Sequence, residues 1–141
     1  MISLLLLIEY TFLIYCSTII FRENKIDRSY RFDLLWSYNE PNLLPENIMN
    51  VAVFAVFGLL GSLSLRTISW WIITIVGFII SVSIESLQYI FIRGSFDIDD
   101  VFNNTLGTAI GAITYVVISI IWRLLIAKKI KCQNNDKSVV F

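Results

Sequence analysis

The chain contains no histidine. That removes the commonest acid/base at neutral pH and the commonest metal ligand. Charge is scarce too: Asp, Glu, Lys and Arg make up 16% of 141 residues, where a soluble domain carries about 25%. Basic and acidic residues balance at eleven each, so nucleic-acid binding has no electrostatic footprint. The two cysteines are Cys16, inside an apolar run, and Cys132, in a basic tail. They lie far apart and follow no zinc or redox spacing. Cys16 reads as a small apolar filler. The two prolines, Pro41 and Pro45, break any helix there and precede the next one.

Apolar side chains fill the space these absences leave. The chain is 57% hydrophobic, with a mean hydropathy of +0.74. A soluble globule this small has no interior large enough to hide that surface; a bilayer solvates it instead. Residues 1–21 are nearly all apolar and make about 31 Å of helix, enough to span. A cleaved signal would need a basic start and a small-residue cleavage site. Neither is present, and Glu9 would sit inside its apolar core. Residues 47–92 would reach about 69 Å as one helix, more than twice the hydrocarbon core, so they must fold back. Arg66, among Ser62, Ser64, Thr67 and Ser69, marks the turn at 65–68.

The sequence therefore predicts an all-α, four-span bundle with a polar pocket open to one side. The spans fall at about 1–21, 47–64, 69–92 and 104–126. Residues 1–126 form one membrane domain, and 127–141 a basic cytoplasmic tail, disordered or bound at the membrane surface. Trp70, Trp71 and the aromatics of 22–46 (Tyr30, Trp36 and Tyr38) suit the headgroup layer. Both termini share a side with the 65–68 turn. Lys128, Lys129 and Lys131 lie directly beyond span four, so the positive-inside effect predicts cytoplasmic termini. The 22–46 and 93–103 loops, with Arg22, Lys25, Arg28, Arg31 and Arg93, then face outward.

Glu85 lies deep in span three, with Ser81 and Gln88 on the same helix face. A carboxylate there costs about 2.5–3.5 kcal/mol on insertion scales and should face the bundle interior. Arg93, two turns on, can approach the same face. Asp99 or Asp100 can cap span four. Asp100, Asn104, Gly107 and Gly111 form one stripe, whose glycines permit close helix approach and whose polar end can meet the Glu85 face. Asn50 joins from span two, with Asn47, Phe54, Gly58 and Gly61 on its side. Arg22 and Arg31 sit above. Each of these also has a plainer reading. Glu85, Gln88 and Asn104 serve equally as interhelical hydrogen bonds, at about 0.6 kcal/mol each. Asp99 and Asp100 serve as caps alone. Asp97, Asp99 and Asp100 offer oxygen ligands, but DIDD lacks the ligand spacing of a calcium loop, so no metal or cofactor is assigned. Glu9 either faces the same pocket or only packs.

The stretch SIESLQYIFIRGSFDIDDVFNNTLGTAIG, from Ser83 to Gly111, resembles the VanZ-like family of small bacterial membrane proteins. The matching features are Glu85, Gln88, Asp97 and Asp100 as a D-x-x-D segment, and Asn104-Thr105-Leu106-Gly107. NIMNVAVFAVFGLLG is similar to that family's second span through Asn50, Phe54, Phe57 and Gly58. Arg22 followed by RFDLLWSY resembles its segment after span one, without the usual proline. The resemblance implies a plasma (inner) membrane protein of the bacterial cell envelope, in a family named for resistance to the lipoglycopeptide teicoplanin.

Three functions follow as expectations. The first is binding of an amphiphilic or lipid-linked envelope ligand, a precursor or the lipoglycopeptide itself, through Gln88, Arg93, Asn104, Asn50, Arg22 and Arg31. The second is an enzyme on a lipid-linked phosphate or sugar, with Glu85 as general acid/base, Asp97 or Asp100 as second carboxylate or metal ligand, and Arg93 with Arg22 as the anion clamp. No Ser, Cys or His nucleophile with a base beside it supports that chemistry. The third is a structural or transport accessory subunit, for which bundle packing matters and pocket polarity does not.

Overall fold

A computed structural model describes the backbone of residues 2–21 and 29–138, and the side chains of those up to Ile130. Four helices are long and apolar enough to cross a membrane, so the all-α, four-helix expectation holds. Helix α1 (Ile2–Tyr15) continues as a π turn, Cys16–Ile20, closed by Phe21 N–H donating to Cys16 O at 3.1 Å. Helix α2 spans Leu44–Ser64, α3 Trp70–Ile90 and α4 Ile98–Ser138.

Several boundaries differ from the sequence expectation, each for a local reason. α2 begins at Leu44 and includes Pro45; proline is tolerated in a first turn, whose N–H groups have no intrahelical partner anyway. α4 begins at Ile98, so the polar loop before it is shorter than 93–103. Its cap is Asp97, whose Oδ1 accepts the Asp99 N–H at 3.0 Å; Asp99 and Asp100 instead occupy the first turn. The tail is not an irregular segment. α4 runs on to Ser138 because nothing after Gly111 breaks it: no glycine or proline follows.

α3 ends in a Schellman arrangement, with Arg93 N–H donating to Gln88 O at 2.9 Å and Ile92 N–H to Tyr89 O at 3.4 Å. Ile92 takes the left-handed position, φ 57°, where glycine is usual and a β-branched residue is strained. The chain then pairs back on itself. Strand β1 (Tyr30–Arg31) runs parallel to β2 (Phe96–Asp97), with Tyr30 opposite Phe96 and Arg31 opposite Asp97. Alternation sorts this ribbon into two faces. Tyr30, Phe32 and Phe96 stack on one, with successive ring centroids 5.6 and 5.7 Å apart; Arg31 and Asp97 lie on the other.

α4 packs chiefly on α2 and α3. Its Gly107 and Gly111 lie against the backbone of Val51 and Ala55 in α2, and Gly58 of α2 lies against the backbone of Thr108. The neighbouring helix that the glycines approach is thus α2, while Asn104, at the polar end of the stripe, reaches Ser81 of α3. α1 is the loosest helix. It is held by a small apolar cluster of Ile14, Phe54, Phe57 and Ile84. Tyr10 Oη adds a hydrogen bond to Val53 O at 2.9 Å, and Tyr15 pairs with Ser83.

Candidate functional site

The polar residues gather at the end of the bundle where α1 and α3 finish and α2 and α4 start. Asp97 tops the cluster. Besides capping α4, its carboxylate accepts from Trp36 Nε1 at 3.2 Å, and its own N–H donates to Glu85 Oε2 at 3.1 Å. Asp99 is fully buried. One oxygen accepts the Leu35 N–H; the other accepts Ser37 N–H at 2.9 Å and Ser37 Oγ at 2.6 Å. Leu35 is left-handed, φ 66°, and its N–H is the one that Asp99 accepts. Such strain persists only where the surroundings over-determine the backbone.

A second layer fixes α2 to α4. Asn103 Nδ2 donates to Asn47 Oδ1 at 3.1 Å, and Asn47 Nδ2 to Ser37 Oγ at 3.0 Å; Tyr38 Oη donates to Asn103. Asn50 Nδ2 donates to Asp100 Oδ1 at 2.8 Å. On the α3 side, Asn104 Nδ2 donates to Ser81 Oγ at 2.9 Å, and Gln88 Nε2 to Thr18 O, in the π turn, at 3.3 Å.

Two adjoining spaces result. An outer vestibule of about 110 Å³ is lined by Arg31, Trp36, Glu46, Ser95, Asp97 and Asp100 among others. The Arg31 guanidinium lies 3.9 Å over the Trp36 ring, a cation–π contact that holds the charge at its rim. Below it, an inner cavity of about 180 Å³ lies between the end of α1 and the other three helices. Glu85, Gln88, Asn50, Asp100 and Asn104 all line it, and Glu46 and Asp100 border both spaces. The Asn104 side chain is buried, and its Oδ1 has no hydrogen-bond partner among the described residues. A buried acceptor left unpaired costs about 1–3 kcal/mol.

The structure brings together Glu85, Gln88, Asn50, Asp100 and Asn104 as the spacing suggests. Asp97 faces the vestibule, with Arg31. Arg93 lines neither space; its Nη1 lies 3.5 Å from Ile20 O. Arg22 lies outside the described residues. Glu9 is exposed on α1 and does not line the cavity, so of its two readings the shared pocket is not the one observed. Among the described residues no three acidic or thiol side chains cluster as a metal site. Sequence reading missed Ser37, Asn103 and the scale of Asp99's role; Asn47 was placed only on the face of Asn50, without a partner. Asn103 had a signal, since an amide pair opening an apolar helix needs partners. Ser37 had none.

The family described as VanZ/LLP1 matches this chain over residues 4–122. No curated protein and no solved structure matches it.

Proposed function

This chain belongs to the VanZ/LLP1 family, and from that premise we propose that it binds the polar head of an amphiphilic or lipid-linked ligand of the bacterial envelope and thereby lowers susceptibility to teicoplanin. The observation that carries this reading is the inner cavity, lined by three carboxylates (Glu46, Glu85 and Asp100) and three amides (Asn50, Gln88 and Asn104). Its volume of about 180 Å³ is below the roughly 300 Å³ at which drug-sized pockets begin. It suits one head group: a sugar, an amine or a phosphate-linked terminus. A whole lipoglycopeptide would engage it only through such a part. Hydroxyl or ammonium donors would suit the acidic lining of Glu46, Glu85 and Asp100.

Cells carrying Glu85→Gln or Asp100→Asn are expected to lose most of the protection that the unsubstituted protein gives against teicoplanin, at equal membrane levels. Unchanged protection in both would remove the cavity from the function. The reading also places the site outward and the termini in the cytoplasm of a plasma-membrane protein. Reporter fusions at Ser95 and Gln133 should therefore report opposite sides, outside and inside respectively. A reversed pair would leave the cavity facing the wrong compartment.

A second reading keeps Glu85 and Asp100 as an acid/base pair of a membrane enzyme on a lipid-linked phosphate or sugar. Its support is that both carboxylates line one cavity. Asp97 serves it poorly as the second carboxylate, because it already caps α4 and holds Trp36. Turnover of labelled lipid-linked precursor by purified protein, with a series of divalent metals, separates the two readings.

A further inference from the structure

At the opposite end of the bundle, a groove of about 470 Å³ opens between the α2–α3 turn and the far half of α4. Arg66, on the turn, and Arg123, on α4, both line it; so do Tyr115, Ser119 and Trp122, with Leu63 among the apolar wall. We infer that this groove is a binding site for an anionic phospholipid, its phosphate held between Arg66 and Arg123 and an acyl chain lying along the apolar wall.

The charge is of one sign. Two guanidiniums share the groove, and its lining contains no Asp or Glu. Arg66 is oriented by its own turn, with Nε donating to Leu63 O at 3.3 Å. That leaves its terminal amino groups without a partner among the described residues. Tyr115, Ser119, Trp122 and Arg123 recur at helical spacing on one face of α4, so hydroxyls lead up to the charge. Depth is consistent with the headgroup layer. From Ile98 to Trp122, α4 rises about 36 Å, past a hydrocarbon core of about 30 Å. Trp122 is largely exposed there, as an interfacial anchor would be. A free phosphate would use the arginines but not the apolar wall beside them. A phospholipid uses both, and it would join two segments whose like charges otherwise repel. The site is separate from the polar cavity and does not depend on the function proposed for it.

The full-length protein in detergent, offered phosphatidylglycerol and phosphatidylcholine of identical chains, tests this by native mass spectrometry. Each arginine near an anionic lipid is worth about fivefold in affinity, so the preference for phosphatidylglycerol should be roughly thirtyfold. Arg66→Gln combined with Arg123→Gln should abolish that preference. Lys128→Gln combined with Lys129→Gln, outside the groove, should keep most of it. Equal retention of both lipids by the unsubstituted protein, a preference that survives loss of both arginines, or equal damage from the lysine pair would each overturn the site. Should the arginine pair fail to fold, photoactivatable phosphatidylglycerol on the unsubstituted protein decides. Label should concentrate on residues 63–66 and 115–123, and label spread evenly over the helices refutes the groove.

Discussion

Gly111→Leu is expected to unfold this bundle or to cost it more than about 3 kcal/mol, the upper end of ordinary overpacking. A β-carbon on Gly111 would run into the carbonyl of Ala55 and lie 2.8 Å from the backbone nitrogen of Leu59. Side chains can rotate away; backbone cannot, so α2 and α4 would have to separate. Gly107 meets the backbone of Val51 in the same way, and Gly58 that of Thr108. The contact is thus a row of backbone-on-backbone approaches. Helix association in a bilayer rests on such packing, since lipid tails are as apolar as the helices. Gly61→Ala supplies the contrast. Its new carbon would meet only the Ile73 side chain, at 3.1 Å, and the cost should stay below about 1.5 kcal/mol. Unfolding in mixed micelles, followed by tryptophan fluorescence, measures both. Equal midpoints for Gly111→Leu and Gly61→Ala would contradict the close α2–α4 approach. A severe Gly111→Leu beside a silent Glu85→Gln in cells would instead favour a structural subunit.

That comparison also locates how far the sequence could be read. Hydropathy and length reveal the four helices because a bilayer imposes a length on every span. The Gly107–Gly111 pair is equally visible, because only small residues let backbones touch. What it touches is not visible. Helical spacing says which residues share a face, and both α2 and α3 offered a polar face at the right depth. The glycines chose α2, while Asn104, on the same stripe, reaches Ser81 of α3. Glu85, Gln88, Asp100 and Asn50 were legible through the cost of polar groups among lipid. The 29–39 segment was legible only as aromatic and interfacial. Its pairing with Phe96–Asp97 is a long-range contact of two residues, too short for any alternation to announce. The start of α4 was misplaced for a related reason. Asp97, Asp99 and Asp100 are all good first-turn residues, and only the tertiary partners sort one acid into the cap and another into a hub.

That hub carries the second large effect. Asp99→Ala is expected to release residues 35–39 from the bundle while leaving the helices folded. The carboxylate is the acceptor for Leu35 N–H, Ser37 N–H and Ser37 Oγ. Removing it strands three donors at about 1 kcal/mol or more each, less whatever water regains by entering. Because Ser37 also receives Asn47 Nδ2, the loss propagates to α2. A local cost near 3 kcal/mol corresponds to roughly a hundredfold faster amide exchange. That increase should appear at Leu35 and Ser37 and not at 54–62, within α2. Asp99→Asn keeps one oxygen but turns an amide toward donors, so it should fall between the two. Asp97→Asn should be milder, since asparagine caps a helix about as well as aspartate. The vestibule is roofed by Trp36 and Ser37, so Asp99→Ala should also weaken protection against teicoplanin, through loss of the roof rather than of the cavity lining. Unaltered exchange at Leu35 and Ser37 would show that the segment is held by the Tyr30–Phe96 ribbon and the Trp36–Asp97 contact instead, and Asp99 would then be no more than a buried acid of the first turn.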